Sequence, residues 1–132
     1  MRVERQLSLI LENRPGVLAA VCADLGKSKI NIEAVTVANL VDHSVVRLVV
    51  SDADKAIHLL GAAGVLVFEN EVVAVSANNK PGALADIAQR LGKARVNIDY
   101  MYASAPRPKG KAMIYLRVSN ASRAQKALGN YR

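Results

Sequence analysis

Asn13 to Thr36 reads NRPGVLAAVCADLGKSKINIEAVT and Asn79 to Tyr102 reads NKPGALADIAQRLGKARVNIDYMY, and the two stretches align without a gap at an offset of 66 residues. Asn, Pro, Gly, Leu, Ala, Leu, Gly, Lys, Asn and Ile recur in register. Self-similarity of this kind means that one supersecondary unit is present twice. Further along, SDADKA (Ser51 to Ala56) matches SNASRA (Ser119 to Ala124) at an offset of 68, which places a two-residue insertion between them. The insertion falls in SAPRPKGKA, Ser104 to Ala112, whose Pro and Gly content reads as a hairpin tip.

Within each repeat the hydrophobic period changes in a fixed order. Leu7, Leu9 and Leu11 alternate, as do Val73, Val75 and Ala77, so each repeat opens with a strand. Leu18, Val21, Cys22 and Leu25, matched by Leu84, Ile87, Ala88 and Leu91, fall at i, i+3, i+4 and i+7, the apolar stripe of a helix. Cys22 is thereby expected to pack in the core. Two β-rich runs follow, Ile30 to Leu40 with Ser44 to Val50, and Val96 to Ala103 with Ala112 to Val118, each pair reading as a hairpin. A second helix carries Ala53, Ile57 and Leu60 in one repeat and Ala121, Ala124, Gln125 and Leu128 in the other. Val65 to Phe68 closes the first repeat as a strand.

The order βαββαβ, with two right-handed crossovers, gives an α+β fold of two ferredoxin-like units in tandem, residues 1–69 and 70–132, each an antiparallel sheet with its helices on one face. The second unit's last strand is missing or very short, because the offset of 68 would start it near position 133. Its opening strand, Val72 to Ala77, then has an edge that needs cover. Only Glu69, Asn70 and Glu71 separate that strand from Val65 to Phe68, so the sequence predicts a β-hairpin that merges the two sheets. Domain swapping or dimer formation across the same edge is the alternative.

Composition narrows the class. Of 132 residues 52% are hydrophobic, with aromatics limited to Phe68, Tyr100, Tyr102, Tyr115 and Tyr131, so the interior is built from Val, Leu, Ile and Ala. Cys22 is the sole cysteine, which excludes an internal disulfide and a thiolate zinc cluster. Arg2, Glu4 and Arg5 interrupt the N-terminal apolar run, which is too short for a signal peptide or membrane span, so a cytoplasmic protein is expected. The net charge of +7 is one-sided: residues 1 to 66 hold seven basic and seven acidic side chains, residues 67 to 132 eleven and four. A basic half could attract nucleic acid or an acidic partner, but Lys93, Arg95, Arg107, Lys109, Lys111, Arg123 and Lys126 fall in different predicted elements, as solvated faces do.

Function is sought at the junction of first strand and first helix, where both repeats place Asn-x-Pro-Gly: Asn13, Pro15 and Gly16, then Asn79, Pro81 and Gly82. Proline fixes φ and suits the first helical position. Glycine lets another group approach the backbone, and the helix N-terminus behind it exposes N–H donors with partial positive charge. Asparagine offers a donor and an acceptor. Together they suit a carboxylate with an adjacent amine. The same residues also make an efficient strand-to-helix turn, but recurrence at one place in a duplicated unit is harder to assign to folding alone.

Catalytic chemistry is thin. His43 lies in a predicted hairpin tip and His58 in the second helix, with no spacing that suggests a shared metal. Asp52 and Asp54 stand at a helix start, where carboxylates cap free amides. No GxxxxGK[ST] or GxGxxG phosphate loop is present. No catalytic residue, metal ligand or cofactor is expected. Tyr100, Tyr102 and Tyr115 flank basic residues and could stack on bases, or could pack on the sheet.

LENRPGVLAAV with INIEAVTV, and SANNKPGALADI with VNIDYMYA, resemble the ACT domain, a regulatory βαββαβ module, and nearly the whole chain is similar to free-standing tandem ACT proteins of bacteria. The resemblance implies that a free amino acid binds between paired modules, at the strand-to-helix loop of one and the opening of the second strand of another. Those positions are Asn13, Pro15, Gly16, Val17 and Leu18 with Asn31 and Ile32, and Asn79, Pro81, Gly82, Ala83 and Leu84 with Asn97 and Ile98. ACT sequences usually carry Gly just before the Ile-Asn-Ile strand, whereas Lys29 and Arg95 stand here, with Gly26 and Gly92 three residues earlier, so the helices are expected to end differently. The reading is a non-enzymatic, amino-acid-binding regulatory protein, a homodimer or one docked to a metabolic enzyme or regulator. An interaction subunit that binds no ligand is the first alternative, and a nucleic-acid binder the least favoured.

Overall fold

The computed structural model describes residues 1–104, 111–129 and 131. The elements in chain order are β1 (Arg2–Glu12), α1 (Val17–Lys27), β2 (Ile32–Asn39), β3 (His43–Val50), α2 (Ala53–Ala62), β4 (Leu66–Asn78), α3 (Ala83–Lys93), β5 (Ile98–Ala103), β6 (Lys111–Val118) and α4 (Ala121–Leu128). The tip expected within Ser104 to Ala112 falls mostly on residues 105–110, outside the described residues. The chain divides into two compact units: a first of Arg5–Asn70, and a second of Glu71–Arg132 together with Met1–Glu4.

In the first unit the strand order is β2-β3-β1-β4. Leu7, Leu9 and Leu11 of β1 stand opposite Leu48, Val46 and Ser44 of β3. Those β1 leucines face Val21 and Leu25 of α1 and Ala56 and Leu60 of α2 in one core, as alternation on the strands and a stripe on each helix require. The second unit repeats the arrangement in the order β1-β4-β6-β5. There Val73 and Val75 pair with Leu116 and Ile114. They pack on Ile87 and Leu91 of α3 and Ala124 and Leu128 of α4.

Four expectations are corrected. The predicted hairpin at Glu69–Glu71 does not form: Leu66 to Asn78 is one unbroken strand. Asn70 has no glycine after it to form the favoured two-residue turn, and no residue there has positive φ. The opening strand of the second repeat is covered instead by the N-terminal end of β1, Arg2 to Glu4, which belongs to that unit. The helix stripe is shifted, since Val21 and Leu25 are buried while Leu18 is 39% and Leu84 48% exposed. Cys22 is half-buried at the flank of the stripe. The third correction is that proline does not open the helix. Gly16 and Gly82, both at φ 88, are the N-caps, and α1 and α3 start one residue later.

The fourth concerns the helix ends, where Lys29 (φ 59) and Arg95 (φ 57) occupy the left-handed region after all. Lys29 N–H donates to Gly26 O at 3.0 Å and Ile30 N–H to Leu25 O at 3.0 Å, the paired bonds of a Schellman motif, with Ile30 and Leu25 meeting in the core. Arg95 to Gly92 (3.0 Å) and Val96 to Leu91 (2.9 Å) repeat it. A side chain in this conformation costs roughly 1–2 kcal/mol, which glycine avoids at some cost in unfolded-chain entropy. Lys29→Gly and Arg95→Gly are therefore each expected to stabilise the protein by about 0.5–1 kcal/mol, read as a higher urea midpoint at unchanged m-value. An unchanged or lower midpoint would show the strain to be relieved elsewhere.

Helices α2 and α4 start as carboxylate and amide chemistry predicts. Asp52 Oδ1 accepts from Lys55 N–H at 3.1 Å and Asn120 Oδ1 from Arg123 N–H at 2.9 Å. No helix among the described residues is long and apolar enough to cross a membrane.

Candidate functional site

The two Asn-x-Pro-Gly loops share one backbone path. Val17 N–H donates to Arg14 O (3.4 Å) and Ala20 N–H to Gly16 O (3.0 Å), as Ala83 does to Lys80 (3.3 Å) and Asp86 to Gly82 (3.0 Å). A first helical turn leaves its leading amides without intrahelical acceptors. Those of Leu18 and Ala19 meet no acceptor among the described residues. The glycine N-caps contribute no side chain to satisfy them. A Cβ at Gly16 or Gly82 would meet nothing within 4 Å, so it is the positive φ, and not crowding, that selects glycine there.

Beside the first loop lies an open cavity of about 300 Å³ lined by Leu11, Arg14, Gly16, Val17, Ala20, Val21, Asp24, Ala63 and Val65. Val17, Ala20, Val21 and Asp24 recur at i, i+3, i+4 and i+7, one face of α1. At the loop end Arg14 pairs with Glu12 at 2.5 Å, and this hydrogen bond holds the Glu12 carboxyl below the usual carboxylate range.

The corresponding face of α3 carries a side chain of the chain itself. Tyr131 Oη donates to Ala83 O at 3.3 Å, and the Tyr131 ring lies under the Arg90 guanidinium, 5.2 Å from ring centre. Ala83 and Arg90 stand 66 residues after Val17 and Asp24, and Tyr131 stands 68 after Ala63. Where the first repeat has a methyl group, the second has a ring that fills the place.

Of the residues singled out from the sequence, Gly16 and Val17 line the cavity. Asn13 turns away from it: Nδ2 donates to Asn39 Oδ1 (3.1 Å) and Val41 O (2.9 Å), fixing the β2–β3 tip, where Val41 is held at φ 72. Pro15 and Leu18 are exposed beside the loop. Asn31 and Ile32 do not line the cavity; Asn31 N–H donates to Ser51 Oγ (2.9 Å) and its carbonyl accepts from Ser51 N–H (2.9 Å), and Ile32 packs on the core. In the second unit Asn79, Pro81 and Leu84 are exposed, and Ala83 is 7% exposed against Tyr131. Asn97 bonds Asp99 Oδ1 at 2.9 Å and Ser119 Oγ at 3.0 Å, and Ile98 packs on the core.

Sequence reasoning missed Arg14, Ala20, Asp24, Ala63 and Val65. The signal was present for Asp24, the polar end of a helical row that starts at the loop. His43 and His58 are exposed, and among the described residues no group of three or more His, Cys, Asp or Glu could hold a metal.

The chain matches the ACT domain pair over residues 1–130. A solved Bacteroides thetaiotaomicron protein is 37% identical, covering 96% of this chain and 87% of its own, with a TM-score of 0.90. The ligand-free regulatory subunit of aspartate kinase from Thermus thermophilus has the same fold at 16% identity and a TM-score of 0.71, over 98% of this chain and 96% of its own. That of Thermus flavus gives 16% and 0.65, over 97% and 94%. No curated protein matches. The duplicated βαββαβ unit, its twin glycine-capped loops and the match over nearly the full length agree, and the chain belongs to the ACT domain pair family.

Proposed function

We propose that this chain is a non-enzymatic, cytoplasmic regulatory protein that binds a free amino acid at the Asn13–Leu18 loop of its first unit. The observation that carries this reading is the open cavity against a helix N-terminus whose leading amides lack acceptors, in the one repeat where no tyrosine fills the groove. A carboxylate at those amides gains charge-assisted hydrogen bonds and the favourable end of the helix dipole. The apolar walls take a side chain. Asn31 and Ile32, and the loop of Asn79, Pro81, Gly82, Ala83 and Leu84 with Asn97 and Ile98, join the site only where a second chain contributes them.

The protein acts as a homodimer, or docked to a metabolic enzyme or regulator. Val35 and Val37 support an association of this kind. They lie on edge strand β2, opposite Leu48 and Val46 on the helix-bearing face, yet remain 46% and 50% exposed. An edge strand with apolar side chains and no Lys or Pro is a template for another chain. Regulatory subunits of aspartate kinase share the fold, which agrees with a regulatory role.

A thermal-shift screen of the twenty amino acids tests the binding. A ligand at 100 times its Kd stabilises by about 2.7 kcal/mol, and at least one is expected to raise Tm by several degrees. A folded sample that responds to none would leave the second reading, a docking subunit without a ligand.

A further inference from the structure

The difference between the two grooves bears on what the open one accepts, and the argument rests on the amino-acid-binding reading above. In the second unit the groove holds an aromatic ring under a cation: Tyr131 beneath Arg90, with Arg90 also 3.5 Å from Asp86. In the first unit the ring is replaced by Ala63 and the cation by Asp24. Asp24 is half-buried at the edge of the cavity, and no described residue donates to its carboxylate or pairs with it. The remaining walls, Leu11, Val17, Val21 and Val65, offer no other charge at that end.

A carboxylate in place of a guanidinium reverses the preference at this end of the groove. An aromatic face loses its cation–π partner and meets a negative charge instead. A cation on an apolar stem gains both a charge-assisted hydrogen bond and cover for its methylenes. Length points the same way. From Val17 to Asp24 is seven helical residues, about 10 Å at 1.5 Å each. The amine of a short amino acid sits beside its own carboxylate and cannot reach Asp24 while the carboxylate occupies the loop. A stem of about four methylenes, as in lysine, spans most of that distance.

We propose that the open groove of the first unit selects a ligand whose apolar stem ends in a primary amine or guanidinium, and that Asp24 is the residue that sets this specificity. The same chemistry is offered by a free amino acid with a basic side chain and by a simple diamine, and the test separates them.

Isothermal titration of the full chain would compare lysine, ornithine and arginine with cadaverine, which lacks the carboxylate, and norleucine, which lacks the terminal amine. Lysine or arginine is expected to bind at least tenfold tighter than norleucine, and Asp24→Asn to erase that ratio while norleucine binding persists. Asparagine at position 24 removes a negative charge from the C-terminal half of α1, where the helix dipole disfavours it, so the variant should fold; circular dichroism checks this. Cadaverine matching lysine would keep the Asp24 assignment and make a diamine the ligand. Norleucine matching lysine in the wild-type chain would overturn the assignment of Asp24 and leave amino-acid binding standing. Binding of no compound in the set, with no response in the twenty-amino-acid screen, would overturn both.

Discussion

Leu25→Ala is expected to destabilise the protein by about 3–4 kcal/mol, near the upper part of the range for buried leucines. Three observations place it there. Leu25 is 0% exposed in the core of the first unit, among Leu7, Leu9, Leu48 and Leu60. It also stands at the C-terminal turn of α1, where its carbonyl accepts from Ile30 N–H at 3.0 Å and its side chain makes the apolar contact of the Schellman motif. Finally, its neighbours come from both strands and helices, so the cavity left behind has few ways to collapse. Leu91→Ala should behave alike, being 0% exposed with the same bond, from Val96 N–H at 2.9 Å. Leu18→Ala and Leu84→Ala, at exposed positions of the same helices, should cost less than about 1 kcal/mol. Urea midpoints at constant m-value report the four differences. A loss below 1 kcal/mol for Leu25→Ala, or equal losses at positions 18 and 25, would contradict this description of the core.

That contrast marks where the sequence was legible. The offset of 66 residues, the alternation of Leu7, Leu9 and Leu11, and the helical spacing of Val21 and Leu25 sufficed for the fold class and for the helices and hairpins within each repeat, because each rests on a local period, but not for the junction between the repeats. Which side of the stripe is covered depends on what lies across from it, and sequence spacing cannot separate Leu18 from Val17. The helix ends were misread for a related reason: Lys29 and Arg95 have no local preference for positive φ, and are held there by the burial of Ile30 and Val96. At the candidate site the duplicated Gly16 and Gly82 were readable, since only backbone geometry is at stake. The state of each groove was not. It turns on Ala63 and Tyr131, far along the chain from the loops, and on Asp24 and Arg90, which are ordinary solvent-facing choices for a helix until a cavity or a ring lies beside them.

Residues 69–71 show the same limit at larger scale, and they lead to the other large effect expected. A short spacer between two apolar runs allows either a hairpin or one long strand, and β4 is the long strand. The neighbour of β4 in the second unit is therefore the N-terminal end of β1, Arg2 to Glu4, a segment whose alternation looks like an unremarkable strand start. Removing residues 1–4 should strip that neighbour from β4 and with it the packing of Met1 on the second core. Two or three ladder hydrogen bonds at about 1 kcal/mol each, with part of a methionine side chain, put the loss near 3 kcal/mol. The larger consequence is the edge exposed. Val72, Val73, Ala74 and Val75 are each 1% exposed or less, and Glu71 to Ala77 carries no Lys or Pro to block pairing with another chain. The shortened protein is thus expected to lose amide protection at Val73–Val75 and to elute as species larger than the full-length protein forms, measured by hydrogen exchange and by light scattering after gel filtration. Retained protection in a chain that keeps the full-length protein's elution would mean that some other segment covers this strand, and the assignment of Met1–Glu4 to the second unit would fall.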